Sequence, residues 1–168
     1  MRVRKQLDMF LPRSASALVF TLVFACYDWA LTSFFGVVVS MLHFPPRSPS
    51  FWESHGDPTA HIIEALFFAP LFESCILVAV VELLGWLKAP TVVQVFLAAV
   101  ALAVPHSYTW GYEPYAFIVA PSFAIQAAAY LYWRAVSRTR GFLVAASIHA
   151  LHNLVPAMFI IAYATRKT

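Results

Sequence analysis

The chain has 168 residues, of which 61% are hydrophobic and 11% are charged. A soluble domain of this size has about 45–50% apolar and about 25% charged residues, so this chain has too few polar side chains to cover a water-facing surface. The formal net charge of +3 is too small and too scattered to indicate nucleic acid as a partner. We therefore expect a single membrane domain over residues 1–168, with the lipid bilayer as its solvent.

Five apolar stretches reach the length of about 20 residues that a helix needs to cross the hydrocarbon core. They predict an all-α, polytopic transmembrane helical bundle of about five spans. The spans run from about Ser14 to Leu42, Ala60 to Leu87, Pro90 to Trp110, Pro114 to Val136 and Gly141 to Thr165. The first stretch is too long for a signal-peptide core, so we interpret it as a helix of the mature protein. The two cysteines, Cys26 and Cys75, fit neither a disulfide framework nor a zinc-ligand pair.

The connectors between these stretches are polar or rich in proline. His43–Thr59 holds four of the eleven prolines, which predicts a surface loop, with an interfacial turn around Phe51 and Trp52. Short turns are predicted at Lys88–Pro90, at Trp110–Pro114 and at Arg134–Arg140, the last of them basic and closed by Gly141.

Lysine and arginine are distributed unequally between the two sides that alternating connectors define. One side collects Arg2, Arg4, Lys5, Arg13, Lys88, Arg134, Arg138 and Arg140, and the other collects Arg47, Arg166 and Lys167. The bias predicts a cytoplasmic N-terminus and, for five spans, an outer C-terminus. We expect the membrane to be a bacterial inner (cytoplasmic) membrane. A sixth span or a re-entrant segment would reverse the prediction for the C-terminus.

Ionisable side chains lie within the apolar stretches, where each costs about 2.5–3.5 kcal/mol even on the most lenient insertion scale. Each is therefore a functional candidate. They are Asp28, Glu64, Glu73, Glu82, His106, His149 and His152, with Gln126 and Asn153 as uncharged polar neighbours. We expect structural roles for Glu64, Glu82 and Gln126, while Asp28 fits either a structural pair or a supporting role near a site.

The fifth stretch is the most informative. His149 and Asn153 are four residues apart and lie about 40° from each other on one helical face. His152 lies about 60° from His149 on the other side, so all three can face the bundle. In the second stretch, Glu73 is nearest the middle of the membrane and most needs a partner. His106, from the third stretch, is a candidate for that partner.

These residues carry a resemblance to a known family. The set Glu73, His106 and His149-x-x-x-Asn153 resembles the CAAX prenyl protease 2 and bacteriocin-processing (CPBP) family of intramembrane glutamic proteases. That family shows a Glu-Glu-x-x-x-Arg helix, a Phe-x-x-x-His helix and a His-x-x-x-Asn helix, in this order. Here Glu73 and His106 are 33 positions apart, and His106 and His149 are 43 positions apart; both separations are similar to the family's.

The resemblance covers about residues 69–159 and includes three departures. Ser74 stands where the family has its second Glu, Val78 where it has Arg, and Leu102 where it has Phe. Only the change to Leu102 is mild. The resemblance therefore leaves open a divergent active member and a relative that has lost catalysis.

The resemblance implies hydrolysis of a peptide bond by an activated water, with a catalytic core over about residues 60–165. Glu73 would be the general base, His106 would share the water, and His149 with Asn153 would donate to the oxyanion. The substrate would be a membrane protein or a lipidated peptide. No cofactor is expected, although Glu73, His106 and His149 also form a plausible zinc set, as in a metalloprotease.

Two other functions remain open at the level of the sequence. Ser74 and Val78 favour a catalytically inactive relative that binds a membrane partner or confers immunity. A haem-binding bundle would instead use His106 with His149 or His152 as axial ligands. A purely structural alternative, in which His149 and Asn153 form hydrogen bonds between helices, is also compatible with the residues.

Overall fold

The computed structural model describes residues 16–42, 58–110 and 114–165, of which 92% are helical and none lies in a strand. The prediction of an all-α helical bundle is confirmed. Within these ranges, five helices are long and apolar enough to cross a membrane. The elements are α1 (Ala17–Met41), α2 (Pro58–Ile63), a π-helical segment (Glu64–Phe68), α3 (Ala69–Trp86), α4 (Thr91–Trp110), α5 (Tyr115–Arg134) and α6 (Arg138–Thr165). The turn predicted around Phe51 and Trp52 lies outside the described residues.

The start of α1 is capped, since the Ser16 hydroxyl accepts a hydrogen bond from the Val19 amide at 3.3 Å. This helix packs on α5 and α6. Its contact with α5 is aromatic: the ring of Phe20 stacks on Tyr132 at 5.2 Å between centroids and meets the edge of Trp133 at 5.6 Å. The first span is thereby fixed to the last two.

The second span, Thr59–Trp86, is continuous but is not a uniform α-helix. Pro58 begins α2, a position where a proline costs no hydrogen bond. The loop predicted to end at Thr59 is therefore two residues shorter at its end. The prediction of an uninterrupted α-helix from Ala60 to Leu87 is also wrong in one part, because residues 64–68 adopt the wider π-helical turn.

The turn between α3 and α4 agrees with its prediction. Lys88 has a positive φ of 59°, which ends the helix in the left-handed conformation typical of helix C-termini. The side chain of Gln94 then donates to the carbonyl oxygen of Ala89 at 2.7 Å. This bond satisfies a backbone group at the start of the next span.

The turn between α5 and α6 differs from its prediction. Gly141 does not close it, because α6 already begins at Arg138 and includes this glycine. A Cβ at Gly141 would lie 3.0 Å from the carbonyl oxygen of Tyr130 and 3.0 Å from the amide nitrogen of Arg134. The glycine is therefore required by the close approach of the two helices, not by the turn.

The helices α3 to α6 surround a core of small and aliphatic side chains. Helix α5 contacts α1, α3, α4 and α6, so it is the central element. The buried core includes Leu77, Val81, Ala98, Ala99, Leu102, Ala103, Val119, Phe123, Ala127, Tyr130 and Ala145. Alanine allows helix backbones to approach closely, which is the usual source of helix packing in lipid.

Candidate active site

Three ionisable side chains from three spans meet at one carboxylate oxygen. The Oε2 atom of Glu73 on α3 lies 3.3 Å from Nε2 of His106 on α4 and 3.6 Å from Nε2 of His149 on α6. The side chains of Glu73, His106 and His149 are 18%, 23% and 5% exposed. The structure thus brings together three of the four residues that the sequence singled out, although their chemical roles stay predictions.

The orientation of the His106 ring is set by its own helix. Its Nδ1 atom lies 2.7 Å from the carbonyl oxygen of Leu102, one turn earlier in α4. A carbonyl oxygen only accepts, so Nδ1 carries a hydrogen and donates it. The other ring nitrogen, Nε2, is then the atom that faces Glu73. Because the Leu102 contact uses the backbone, it does not depend on which side chain stands at position 102.

Phe123 on α5 contacts both imidazoles and was not identified from the sequence. Its ring centroid lies 5.1 Å from that of His106 and 5.7 Å from that of His149, the latter in an edge-on arrangement. With 3% of its surface exposed, it forms an apolar wall behind the two rings. An apolar residue in an apolar helix gives no signal in the sequence that distinguishes it from the rest of the core.

Asn153 does not reach Glu73 by any hydrogen bond that the structure describes. Its side-chain amide donates instead to the backbone carbonyl oxygen of Ala65, in the π-helical segment, at 2.8 Å. The expected partnership with His149 at an oxyanion stays a prediction. This hydrogen bond links α6 to the second span.

A second polar group lies between α1, α5 and α6 and is centred on Asp28, which is fully buried. Its Oδ2 accepts a hydrogen bond from the Ser122 hydroxyl at 2.9 Å, and its Oδ1 lies 3.3 Å from Nδ1 of His152. Gln126 donates to Ser122 at 3.0 Å. Asp28 and His152 thus form a pair of opposite potential charges, which agrees with the structural pairing considered for Asp28.

The two polar groups are close enough to interact. His149 interacts electrostatically with Glu73 and His106 on one side and with His152 and Asp28 on the other. His149 and His152 are three positions apart on α6, so one helix contributes an imidazole to each group. The site is therefore part of a larger polar interior to which all five candidate spans contribute.

Glu82 and Glu64 lie in other surroundings. Glu82 accepts hydrogen bonds from the Tyr130 hydroxyl at 2.6 Å and from Arg134 at 2.9 Å, and Arg138 lies 3.4 Å from its other oxygen. Glu64 is 69% exposed and lies 3.7 Å from His61. Among the described residues, the partners of Glu82 and Glu64 differ from those of Glu73; the structural roles expected for both stay predictions.

The chemical character of the site follows from its donors and its neighbours. Among residues 16–42, 58–110 and 114–165, no group of three or more His, Cys, Asp or Glu side chains is arranged to hold a metal ion.

Ser74, next to Glu73, is fully buried, and within the same ranges its hydroxyl has no hydrogen-bond partner. Cys26 and Cys75 are free and exposed. A carboxylate between two imidazoles can accept, hold and return a proton, which is the requirement for general acid–base chemistry.

Comparison of the chain with known proteins finds no matching family model, no matching curated protein and no matching solved structure. The fold and the site together define a helical protein with five candidate membrane spans and a partly buried Glu–His–His group. Any more particular function has to be argued from that group.

Proposed function

We propose that the chain is an intramembrane endopeptidase that cleaves a membrane-embedded or lipid-anchored peptide with a water activated by Glu73, as a divergent relative of the CPBP family. The observation that carries the proposal is the convergence on Glu73 Oε2 of two imidazole nitrogens, at 3.3 and 3.6 Å, from two other helices. Three costly polar groups from separate spans are brought to one point, which is typical of a functional site in a membrane.

The chemistry requires a base, an electrophile and a proton for the leaving group. Glu73 removes a proton from water while the water oxygen attacks the carbonyl carbon of the scissile bond. The resulting oxyanion is stabilised by a hydrogen bond from an imidazole N–H. The C–N bond then breaks, the carbonyl re-forms, and the proton held by Glu73 passes to the departing amine. One water is consumed, and one acid and one amine are released.

The two histidines differ in their surroundings, and this difference divides the roles between them. His106 has its Nδ1 engaged with the Leu102 carbonyl, so its Nε2 is left to hold the water beside Glu73. His149 is 5% exposed, and within the described ranges its Nδ1 has no hydrogen-bond partner. We assign His149 to the oxyanion. The Asn153 amide, already bonded to Ala65, is not given this role.

The first test compares wild type with Glu73→Gln and His149→Ala, expressed at equal levels in a bacterial host. Cleavage is measured as new termini of membrane proteins by mass spectrometry and then with purified protein and the peptides so identified. Either change is expected to lower the rate about 100-fold or more, since a general base and an oxyanion donor each contribute about that much.

The matched control is Glu82→Gln, which neutralises a carboxylate on the same span that is bonded to Tyr130 and Arg134. It is expected to affect stability more than cleavage. Equal processing by wild type, Glu73→Gln and His149→Ala would exclude the proposed base and donor. A rate that falls with a chelator and returns with zinc would instead assign Glu73, His106 and His149 to a metal.

One observation favours a second candidate, a non-catalytic membrane protein that binds a partner or confers immunity. Ser74 and Val78 replace two charged positions of the family that this chain resembles, and Val78 packs against the apolar core. Such a protein would act equally well with Gln at position 73. Partner capture or protection that is unchanged by Glu73→Gln, with no cleavage by wild type, would favour this candidate.

A further inference from the structure

The π-helical segment before α3 has an unusual hydrogen-bonding requirement. In a π-helix, each backbone N–H donates to the carbonyl five residues earlier, and the Ala69 amide indeed donates to the Glu64 carbonyl. The next pair in this register is residue 70 with the carbonyl of Ala65. Residue 70 is Pro70, which has no N–H. The Ala65 carbonyl therefore has no main-chain donor in this register.

Asn153 supplies the missing donor. Its side-chain amide reaches the Ala65 carbonyl oxygen at 2.8 Å from a position 88 residues further along the chain. Water cannot easily replace it, since a carbonyl in hydrocarbon must be satisfied within the protein. The bond therefore replaces, from another helix, the main-chain bond that Pro70 removes.

The bond lies beside the candidate site on both of its helices. On α6, Asn153 is one turn after His149, and on the second span Glu73 is three residues after Pro70. A π-helical turn adds one residue relative to the α-helix, so losing it would rotate the flanking parts by about 100° relative to each other. The register of this segment therefore determines the direction in which Glu73 points relative to the start of the span.

We propose that Asn153 is a positioning residue that replaces the N–H absent from Pro70, keeps the π-helical segment in register, and thereby holds Glu73 against His106 and His149. Its effect on cleavage rests on the proposed function, whereas its effect on the fold does not. Asn153 then needs no contact with the substrate.

The test uses the rescue that proline chemistry allows. Asn153→Leu, close to Asn in size but without a donor, leaves the Ala65 carbonyl unsatisfied and is expected to lower Tm by about 2–4 °C and to lower cleavage. In the double variant Asn153→Leu/Pro70→Ala, residue 70 regains an N–H that can donate to Ala65. Tm and cleavage are both expected to recover more than half of the loss.

Gln94→Leu is the matched control, because Gln94 also donates a side-chain amide to a backbone carbonyl, that of Ala89 at 2.7 Å, away from the site. It is expected to lower Tm, and Pro70→Ala is expected to restore nothing in that background. This comparison separates a specific rescue from a general gain in stability.

Two results would overturn the proposal. Asn153→Leu could abolish cleavage at an unchanged Tm, with no recovery from Pro70→Ala, which would place Asn153 in contact with substrate. Alternatively, the Tm change of the double variant could equal the sum of the changes that Asn153→Leu and Pro70→Ala each cause alone, which would show that the two residues do not serve the same carbonyl. The second result is a comparison of Tm values and can be measured even if wild type cleaves no peptide. Failure of the proposed function and failure of this inference are therefore distinguishable.

Discussion

Asp28 is a carboxylate without exposed surface in the middle of an apolar helix. An unpaired charge in such a position is strongly unfavourable, and the cost falls only if the charge is paired and hydrogen-bonded. Ser122, Thr32 and His152 approach its two oxygens at 2.9, 3.4 and 3.3 Å. Because Ser122 and His152 come from α5 and α6, the pairing also explains how α1 is anchored.

This arrangement predicts strong coupling between Asp28 and His152. His152→Leu leaves the buried carboxyl group without its imidazole partner and is expected to lower the free energy of unfolding by about 3–5 kcal/mol. Asp28→Asn/His152→Leu removes both ionisable groups and is expected to recover more than half of that loss. The measurement is unfolding in mixed detergent micelles, and His61→Leu, at the edge of the bundle, is the control. A double variant as unstable as the sum of the single ones would contradict the pairing.

Residue types and spacing were sufficient to identify Glu73, His106 and His149 as candidate site residues, because an ionisable group in a membrane span is energetically costly and therefore rare. The same reasoning identified Asp28 and His152 without pairing them. Phe123 could not be found, since its importance comes from the two rings it touches and not from its own chemistry. The partner of Asn153 could not be found either, because it is a backbone atom.

At the scale of the elements, the closest contact that the structure describes for a glycine joins α5 and α6 at Gly141. Gly141→Ala would place a methyl group 3.0 Å from backbone atoms of Tyr130 and Arg134, which cannot rotate away. The two helices would have to separate, at an expected cost of about 1–3 kcal/mol in the free energy of unfolding.

Gly36→Ala provides the opposite case on α1. A Cβ at Gly36 meets nothing within 4 Å, so the change is expected to stabilise the helix by about 0.5–1 kcal/mol. Both variants are compared by thermal unfolding in the same detergent. A stabilising Gly141→Ala would show that α5 and α6 are further apart than the structure has them.

The helix bounds were predictable to within a few residues, since they follow from apolar length and from proline and charge at the connectors. The π-helical segment was not, because it depends on how Pro70 and Asn153 satisfy a backbone group across two helices. The start of α6 was also placed too late. Its true start at Arg138 moves His149 about 4.5 Å deeper than a start at Gly141 would, toward the depth of Glu73.

At the scale of the whole molecule, the candidate site and the Glu82 group lie at different levels of the bundle. Glu73 and His149 lie near the middle of their spans and His106 lies in the later part of α4, whereas Glu82, Arg134 and Arg138 lie where α3 and α5 end and α6 begins. Consecutive spans run in opposite directions, so the Glu82 group is at one end of the bundle and is separated from the site along the membrane normal. The basic end is the one that the excess of lysine and arginine assigns to the cytoplasm.

This separation predicts the side of the membrane on which four exposed helix ends lie. In a background with Cys26→Ala and Cys75→Ala, single cysteines are introduced at exposed helix ends. Leu87→Cys and Thr139→Cys are expected to react with a membrane-impermeant maleimide only in inside-out vesicles. Leu42→Cys and Ala60→Cys are expected to react only from the outer face, because one span precedes position 42 and one span separates positions 60 and 87.

The pattern of labelling distinguishes an error in orientation from an error in span number. Labelling of all four positions from the reversed sides would keep the five spans and overturn the cytoplasmic assignment of the basic end. Labelling of positions 87 and 139 from opposite sides would mean that α4 and α5 do not both cross. In that case α4 and α6 could not present His106 and His149 to Glu73 at a common depth, and the site would lose its physical basis along with the topology.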